Sequence, residues 1–214
     1  MGTHSSSDAL NKQKKQHSIR VFENDLLESL THVHPITPLL VWGPVTLLLF
    51  INGLGKLDYN YFKVFIWTLS GILVWTFIEY IFHRYVFHFP AKSALGKRLV
   101  FLFHGLHHDD PHDKTRLVFP PVPAAGLLSL FYFAFAAIIP ESPLFTFLSG
   151  FLFGYLCYDY IHYATHHFPM KSKVGKYLRK YHLVHHFSDS DAKFGVSSPL
   201  WDYVFNTVQS KKSR

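Results

Sequence analysis

Histidine is the residue whose number and spacing stand out in this chain, with 16 copies among 214 residues. Ten of them fall into four clusters: H-x-x-H-H twice, H-x-x-x-H once, and one pair five positions apart. Neutral imidazole is a good ligand for iron, zinc and copper. Ten imidazoles exceed the needs of one ion but suit two ions with roughly four to six ligands each. The predicted metal ligands are His83, His88, His104, His107, His108, His162, His166, His182, His185 and His186.

The spacing within three of the clusters is helical. Residues separated by three or four positions share one face of an α-helix, as in 104–108, 162–166 and 182–186. His83 and His88 do not align on a regular α-helix. We expect them to converge only if the helix bends or ends there, and the nearby Pro90 favours an ending.

A metal-bound imidazole needs an acceptor for its other ring N–H group. Glu79 precedes His83 by four positions and Asp159 precedes His162 by three. These two carboxylates are the predicted orienting groups, with Asp109 and Asp110 as further candidates.

The remaining histidines are not expected to bind metal. Four of them fall outside the spacing pattern. The other two, His112 and His167, lie beside a cluster but out of phase with it, and we expect them to contact a metal ligand or to lie on the surface. These residues are His4, His17, His32, His34, His112 and His167.

Four apolar segments are expected to position the histidines. Segments 35–55 and 61–82 are each about as long as the ~20 residues that cross a bilayer, and segments 124–139 and 144–158 form a second pair. Segment 124–139 is short, so the second hairpin can be tilted or partly inserted. We therefore predict an all-α integral membrane protein with about four transmembrane helices in two hairpins, and a helical cap that holds the dinuclear site.

Charge placement predicts the orientation. Most Lys and Arg residues lie before the first segment, between the hairpins or after the last one, and the two short turns are nearly neutral. By the positive-inside rule the basic side, which carries every histidine cluster, is cytosolic. Residues 1–35 are predicted to be a flexible basic tail, and residues 36–214 the membrane domain.

Composition excludes several classes of protein. Cys157 is the only cysteine, which rules out an intramolecular disulfide and a thiolate metal cluster. The net charge of +7 comes without a basic stripe interleaved with aromatic residues, so nucleic acid is not an expected partner. A basic face against anionic lipid headgroups fits better.

At this point a resemblance is evident. The stretches "EYIFHRYVFH", "HGLHHDDPHDKTRLVFPP", "YDYIHYATHH", "KYHLVHHF" and "FGVSSPLWDYVF" resemble the fatty acid 2-hydroxylase family of membrane histidine-box oxygenases. The similarity covers roughly residues 74–207. It implies a dinuclear site with the ten histidines as ligands, iron for activity with zinc as an alternative occupant, and O2 as co-substrate.

The resemblance also implies hydroxylation at C2 of a long-chain fatty acid or of the acyl chain of a sphingolipid. Many relatives carry an N-terminal cytochrome b5 domain, and the first 35 residues are far too short for one. We therefore expect a separate electron donor, cytochrome b5-like or ferredoxin-like, with its reductase. The expected location is the endoplasmic reticulum in a eukaryote or the inner membrane in a bacterium.

Two alternative functions remain open from the sequence. A sterol or carotenoid hydroxylase or desaturase of the same superfamily would use the same chemistry on another lipid. A non-redox membrane zinc-binding protein is a second alternative, but a conduit should place its ligands along a path through the bilayer, and here they cluster on one side.

Overall fold

The protein is helical throughout the part that the computed structural model describes, residues 18–210, and no β-strand occurs in that range. Two π-helical stretches, Phe82–Phe87 and Phe101–Gly105, interrupt or extend the α-helices. The α-helices are α1 (Asp25–Leu30), α2 (Thr37–Lys56), α3 (Tyr61–Ile81), α4 (Ala94–Val100), α5 (Leu106–Asp109), α6 (Pro121–Ala136), α7 (Glu141–His167), α8 (Lys173–Phe187) and α9 (Leu200–Val204).

Within residues 18–210, three helices are long and apolar enough to cross a membrane: α2, the continuous Tyr61–Phe87 helix that contains α3, and α7. Helix α6 is apolar but has 16 residues, shorter than a full span. The prediction of an all-helical membrane protein is confirmed for the described residues. The short third segment was predicted as well, and α6 occupies it.

Helix α7 forms the centre of the bundle, because it packs against both α2 and α3. Glycines allow the close approach of these helices, as small residues commonly do in membrane proteins. A Cβ atom at Gly150 would overlap the carbonyl oxygen of Thr68, and one at Gly71 would overlap that of Phe147. Around these contacts Trp75 packs edge-to-face on Phe151, with ring centroids 5.1 Å apart.

The ends of the helices show how the bundle is oriented. Tyr160, near the end of α7, donates a hydrogen bond to the carbonyl of Pro35, just before α2, at 2.8 Å. At the opposite end, Ser142 donates to the carbonyl of Lys56 at 2.6 Å. Helix α2 is therefore antiparallel to α7, whereas α3 runs parallel to it. All four histidine clusters consequently lie at one end of the bundle.

Helix α6 returns along α7. At its start the Phe119 N–H donates to Asp159 at 3.2 Å. Near its end the rings of Phe135 and Phe147 lie 4.9 Å apart. The two helices therefore form an antiparallel hairpin over about 18 Å of α7, at 1.5 Å per residue.

The predicted tail lies only partly in the described range. Residues 1–17, with His4 and His17, are outside the described residues. Residues 18–35 include α1, and the backbone of Val33 donates to the carbonyl of Thr115 at 2.7 Å. The division of the chain at residue 35 stays a prediction.

Candidate metal centre

A π-helical turn brings His83 and His88 together. Residues Phe82–Phe87 continue α3 with i to i+5 hydrogen bonding, in which the N–H of His88 faces the carbonyl of His83 at 3.3 Å. The wider turn places residues five apart on nearly the same face, and the two ring centroids lie 5.1 Å apart. The helix widens into this π-helical turn and then ends, with His88 as its C-cap, as the position of Pro90 predicted. Short π-helical stretches of this kind are frequent at functional sites.

The ten predicted ligands converge into two groups of five. The possible ligand atoms within each group all lie within 4.8 Å of one another. Their binding of metal stays a prediction, although their convergence is a feature of the structure. The A group is His83, His88, His104, His108 and His185, and the B group is His107, His162, His166, His182 and His186.

Each H-x-x-H-H cluster is divided between the groups. Positions four apart stay together, as His104 and His108 do in the A group, with Nε2 atoms 3.0 Å apart. The intervening His107 instead points to the B group, where its Nε2 lies 2.9 Å from that of His162. Helices α5 and α8 therefore each contribute histidines to both groups.

Burial disfavours the charged form of these histidines. It lowers the pKa of His108 to about 4 and that of His185 to about 3. Neighbouring imidazoles add to the effect of burial and hold the pKa of His104 well below its ordinary value. The rings are therefore neutral near pH 7, which is the form that binds metal.

The donor set fits two transition-metal ions. Within residues 18–210 neither ring nitrogen of His186 finds a hydrogen-bond partner, although both are buried. Buried polar atoms without a partner are unfavourable, and a cation at the centre of the B group would satisfy the ring nitrogen that carries the lone pair. Five imidazoles per group lie within the usual range of coordination numbers.

A short loop supplies acceptors for two A-group rings. The Nδ1–H of His83 donates to the carbonyl of Phe194 at 2.5 Å, and that of His185 to the carbonyl of Ala192 at 2.7 Å. A carbonyl oxygen can only accept, so the proton sits on Nδ1 and Nε2 presents a lone pair to the centre of the group. We call residues 192–198 the carbonyl loop.

Glu79 contacts the carbonyl loop rather than the ring of His83. Its Oε1 accepts hydrogen bonds from the backbone N–H groups of Val196 and Ser197 at 2.7 and 2.8 Å, and its Oε2 accepts from the hydroxyl of Ser197. The acceptor for His83 is a backbone carbonyl, not the carboxylate expected from the spacing. Any effect of Glu79 on that histidine therefore passes through the loop.

Asp159 also differs from the simple expectation. Its carboxylate accepts from the backbone of Phe119 at 3.2 Å and from the hydroxyl of Tyr155 at 3.5 Å. It is fully buried beside the start of α6. Its observed contacts tie α6 to α7, and a direct role in orienting His162 stays a prediction.

Asp202 was not singled out from the sequence. It is fully buried and accepts hydrogen bonds from the backbone N–H groups of Phe194 and Gly195 at 2.9 and 2.8 Å, and from the hydroxyl of Thr207 at 2.8 Å. The available signal was a single carboxylate inside the apolar run "PLWDYVF", which indicates a buried and paired group.

Histidines outside the two groups serve other contacts. His32 Nδ1 lies 2.6 Å from the hydroxyl of Thr115, and its Nε2 accepts from Arg116 at 2.8 Å. His34 and His112 are exposed, whereas the Nε2 atom of His167 is buried. None of these four belongs to either group in the described part of the chain.

An apolar cavity opens onto both histidine groups. It is lined by His104 from the A group and His107 from the B group, and it extends between α3, α6 and α7. Its walls are mainly apolar and aromatic, including Trp75 and Leu128, with Tyr158 among the polar groups. The carboxylates of Glu79 and Asp159 and the guanidinium of Arg116 also line it.

These features define a helical membrane protein with a paired histidine site beside an apolar cavity. The chain belongs to the fatty acid hydroxylase family, whose model matches residues 68–207. It is 38% identical over 194 residues to a dihydroceramide fatty acyl 2-hydroxylase of Arabidopsis thaliana, covering 91% of this chain and 81% of that protein.

Further relatives include the human fatty acid 2-hydroxylase, 35% identical over 214 residues that cover 91% of this chain and 58% of the human protein. A solved structure of full-length Scs7p, in which only the hydroxylase domain is visible, matches with a TM-score of 0.82 and 37% identity. That match covers 89% of this chain and 72% of the other. The resemblance identified from the sequence is confirmed.

Proposed function

We propose that this chain is a fatty acid 2-hydroxylase, an O2-dependent monooxygenase that inserts a hydroxyl group at C2 of a long acyl chain. The cavity that joins both histidine groups to apolar walls is the observation that carries this proposal. The names of the relatives support it, since they describe 2-hydroxylation of fatty acids and of the acyl chain of dihydroceramide.

The ten histidines of the A and B groups are the proposed ligands of two metal ions. Iron is the ion expected in the active protein, with zinc as an alternative occupant, because imidazole binds both. When bound, the iron pair supplies the oxidising chemistry with O2. The chain's own residues hold the imidazoles neutral and aimed at two points.

The cavity positions the substrate. Because its walls are apolar, the acyl tail lies between α3, α6 and α7, and the carboxyl or amide end lies beside His104 and His107. This arrangement presents C2, the first methylene after the carbonyl, to the histidine site. Close packing of the tail excludes water from the reacting end.

The reaction must balance. One C–H bond at C2 is broken and one C–O bond is formed, with one oxygen atom of O2 entering the product and the other leaving as water. Two electrons and two protons are required in addition. We assign the electrons to a separate donor, cytochrome b5-like or ferredoxin-like, which is kept reduced by its own reductase.

The proposed topology has four membrane helices, α2, α3, α6 and α7, in two hairpins, with α6 as a short or tilted crossing. The antiparallel contact of α6 with α7 supports it. The remaining helices form a cap on the basic side, which the positive-inside rule assigns to the cytosol. The location is then the endoplasmic reticulum or, in a bacterium, the inner membrane, and residues 36–214 form the hydroxylase domain.

The function is tested by mass spectrometry of acyl chains from cells that express the chain together with an electron-donor system. A matched culture expresses His186→Ala, which removes one B-group imidazole. We expect 2-hydroxyacyl products only with the intact chain, either as free acids or within ceramides. The lipid class that carries the hydroxyl group then identifies the substrate.

Two results would contradict the proposal. Hydroxylated sterols or carotenoids without any 2-hydroxyacyl chain would assign the site to another lipid. A metal-loaded chain that forms no product with a working donor would favour zinc binding without redox chemistry.

A further inference from the structure

The two histidine groups differ in how their rings are held. In the A group, His83 and His185 each donate to a carbonyl of the carbonyl loop. In the B group, the Nδ1 atoms of His182 and His186 are buried and find no hydrogen-bond partner within residues 18–210. The carbonyl loop therefore orients ligands of one group only.

The loop is itself held by two buried carboxylates. Its four successive backbone N–H groups, residues 194–197, all point at carboxylate oxygens, the first two at Asp202 and the last two at Glu79. Asp202 comes from α9 and Glu79 from α3. Hydrogen bonds from N–H groups to an ionised carboxylate are roughly twice as strong as neutral ones. The loop has no other regular structure to set its shape.

The packing leaves the loop little freedom to adjust. A Cβ atom at Gly195 would overlap the carbonyl of Ser198 and lie 2.9 Å from Oδ2 of Asp202. Both loop carbonyls that face the histidines, on Ala192 and Phe194, belong to buried residues. A shift of the loop would therefore be transmitted to the A-group rings.

We propose that Asp202 and Glu79 are positioning residues for the A-group metal ion, acting through the carbonyl loop. The inference rests on the proposed function for the presence of two ions. It assigns a role to Asp202 and makes that of Glu79 indirect. Partners of this kind typically change metal affinity by about 10- to 100-fold when they are removed.

The test is a metal count on the purified full-length chain in detergent. The chain is stripped with a chelator, loaded with excess Co²⁺, desalted and analysed for metal and protein, with the visible cobalt absorption recorded in parallel. Asp202→Asn replaces one carboxylate oxygen with an NH₂ group, so one loop N–H faces a donor. We expect the parent chain to retain two ions and Asp202→Asn to retain one, with loss of part of the cobalt spectrum.

The matched control is Glu28→Gln. Glu28 also accepts two backbone N–H groups, those of Val21 and Phe22, but it has no link to the carbonyl loop. It should keep two ions. Glu79→Leu is the second variant, because it removes the acceptor of two loop N–H groups, those of Val196 and Ser197, from the α3 side. It decides the question if Asp202→Asn does not fold by circular dichroism.

A folded Asp202→Asn or Glu79→Leu chain that binds two ions with parental affinity would overturn the inference, as would the equal weakening of both sites. The metal count does not require the enzyme to turn over substrate, so it is independent of the proposed hydroxylase activity. Failure of the hydroxylase proposal would instead appear as absence of product from the fully loaded parent chain.

Discussion

His108 and His186 belong to different groups, yet their rings are stacked with centroids 4.0 Å apart and planes within 14°. His108 comes from α5 and His186 from α8. This stack is where the A and B groups meet, so the two predicted metal sites are contiguous rather than independent. Loss of either ring therefore also removes a packing contact of the neighbouring group.

Replacing His108 with alanine should abolish hydroxylation. The change removes an A-group imidazole and the ring that packs on His186, so we expect product formation to fall by more than about 100-fold, beyond the effect of losing an outer partner. Product is measured by mass spectrometry, and the metal content of the purified chain is measured alongside. His34→Ala removes an exposed histidine outside both groups and should leave both readouts unchanged. Equal activity of His108→Ala and the parent chain would refute the assignment of this ligand.

Leu128→Trp should shorten the acyl chains that are accepted. Leu128 lines the cavity on α6, below the histidine end, and a larger side chain there blocks the deep part of the cavity. We expect the product distribution to move toward shorter 2-hydroxyacyl chains, with their C2 chemistry intact. The comparison is Val122→Trp, which enlarges a side chain that is 82% exposed on the same helix. An unchanged chain-length distribution in Leu128→Trp would place the acyl chain elsewhere.

Gly150→Ala should destabilise the bundle. The added methyl group overlaps the carbonyl of Thr68 on α3, and overpacking of this kind typically costs about 1–3 kcal/mol. The matched variant is Gly126→Ala on α6, where nothing lies within 4 Å of the new methyl group, so a change within about 0.5 kcal/mol is expected. Unfolding of both variants in detergent provides the measurement. Similar stabilities would contradict the close helix approach.

Acid should release the N-terminal segment before it affects the bundle. Hydrogen bonds from Phe22 and Val21 and the charge of Arg116 lower the pKa of Glu28 from 4.5 to about 2, against the opposing effect of burial. Because the folded-state pKa is depressed, the stabilisation is complete above about pH 4.5 and is lost as the pH falls toward 2. The protection of the two backbone amides against hydrogen exchange, relative to the intrinsic rate at each pH, should fall across that window.

The control for this prediction is Glu28→Gln, which cannot titrate. Its exchange at Val21 and Phe22 should be faster at neutral pH and should lack the acid-dependent step below pH 4.5. A parent chain whose protection at these two amides is constant from pH 6 to pH 2 would show that another contact holds the segment.

The sequence by itself determined the helical class, the apolar segments and the identity of the clustered histidines. Helical periodicity is a local property, so spacings such as those in 104–108 and 182–186 predict a shared face without any tertiary information. Four apolar segments were evident for the same reason. The shortness of 124–139 was readable too, because the span of a bilayer sets a minimum length.

Tertiary structure decided how the histidines are grouped. His107 separates from His104 and His108 because the approach of α7 and α8 draws its ring to the other site. The rings of His83 and His88, on the π-helical turn, pack against Phe194, a residue far away in sequence. No spacing rule contains that information.

The role of Asp202 is the clearest case of a contact hidden from the sequence. Its partners Phe194 and Gly195 are only seven or eight positions away, but the loop matters only because its carbonyls meet His83, more than 100 residues earlier. Glu79 was found by its spacing from His83, and its true contact lies in the same distant loop. Local pattern identifies which side chains can do the chemistry, whereas long-range packing decides which atoms they face.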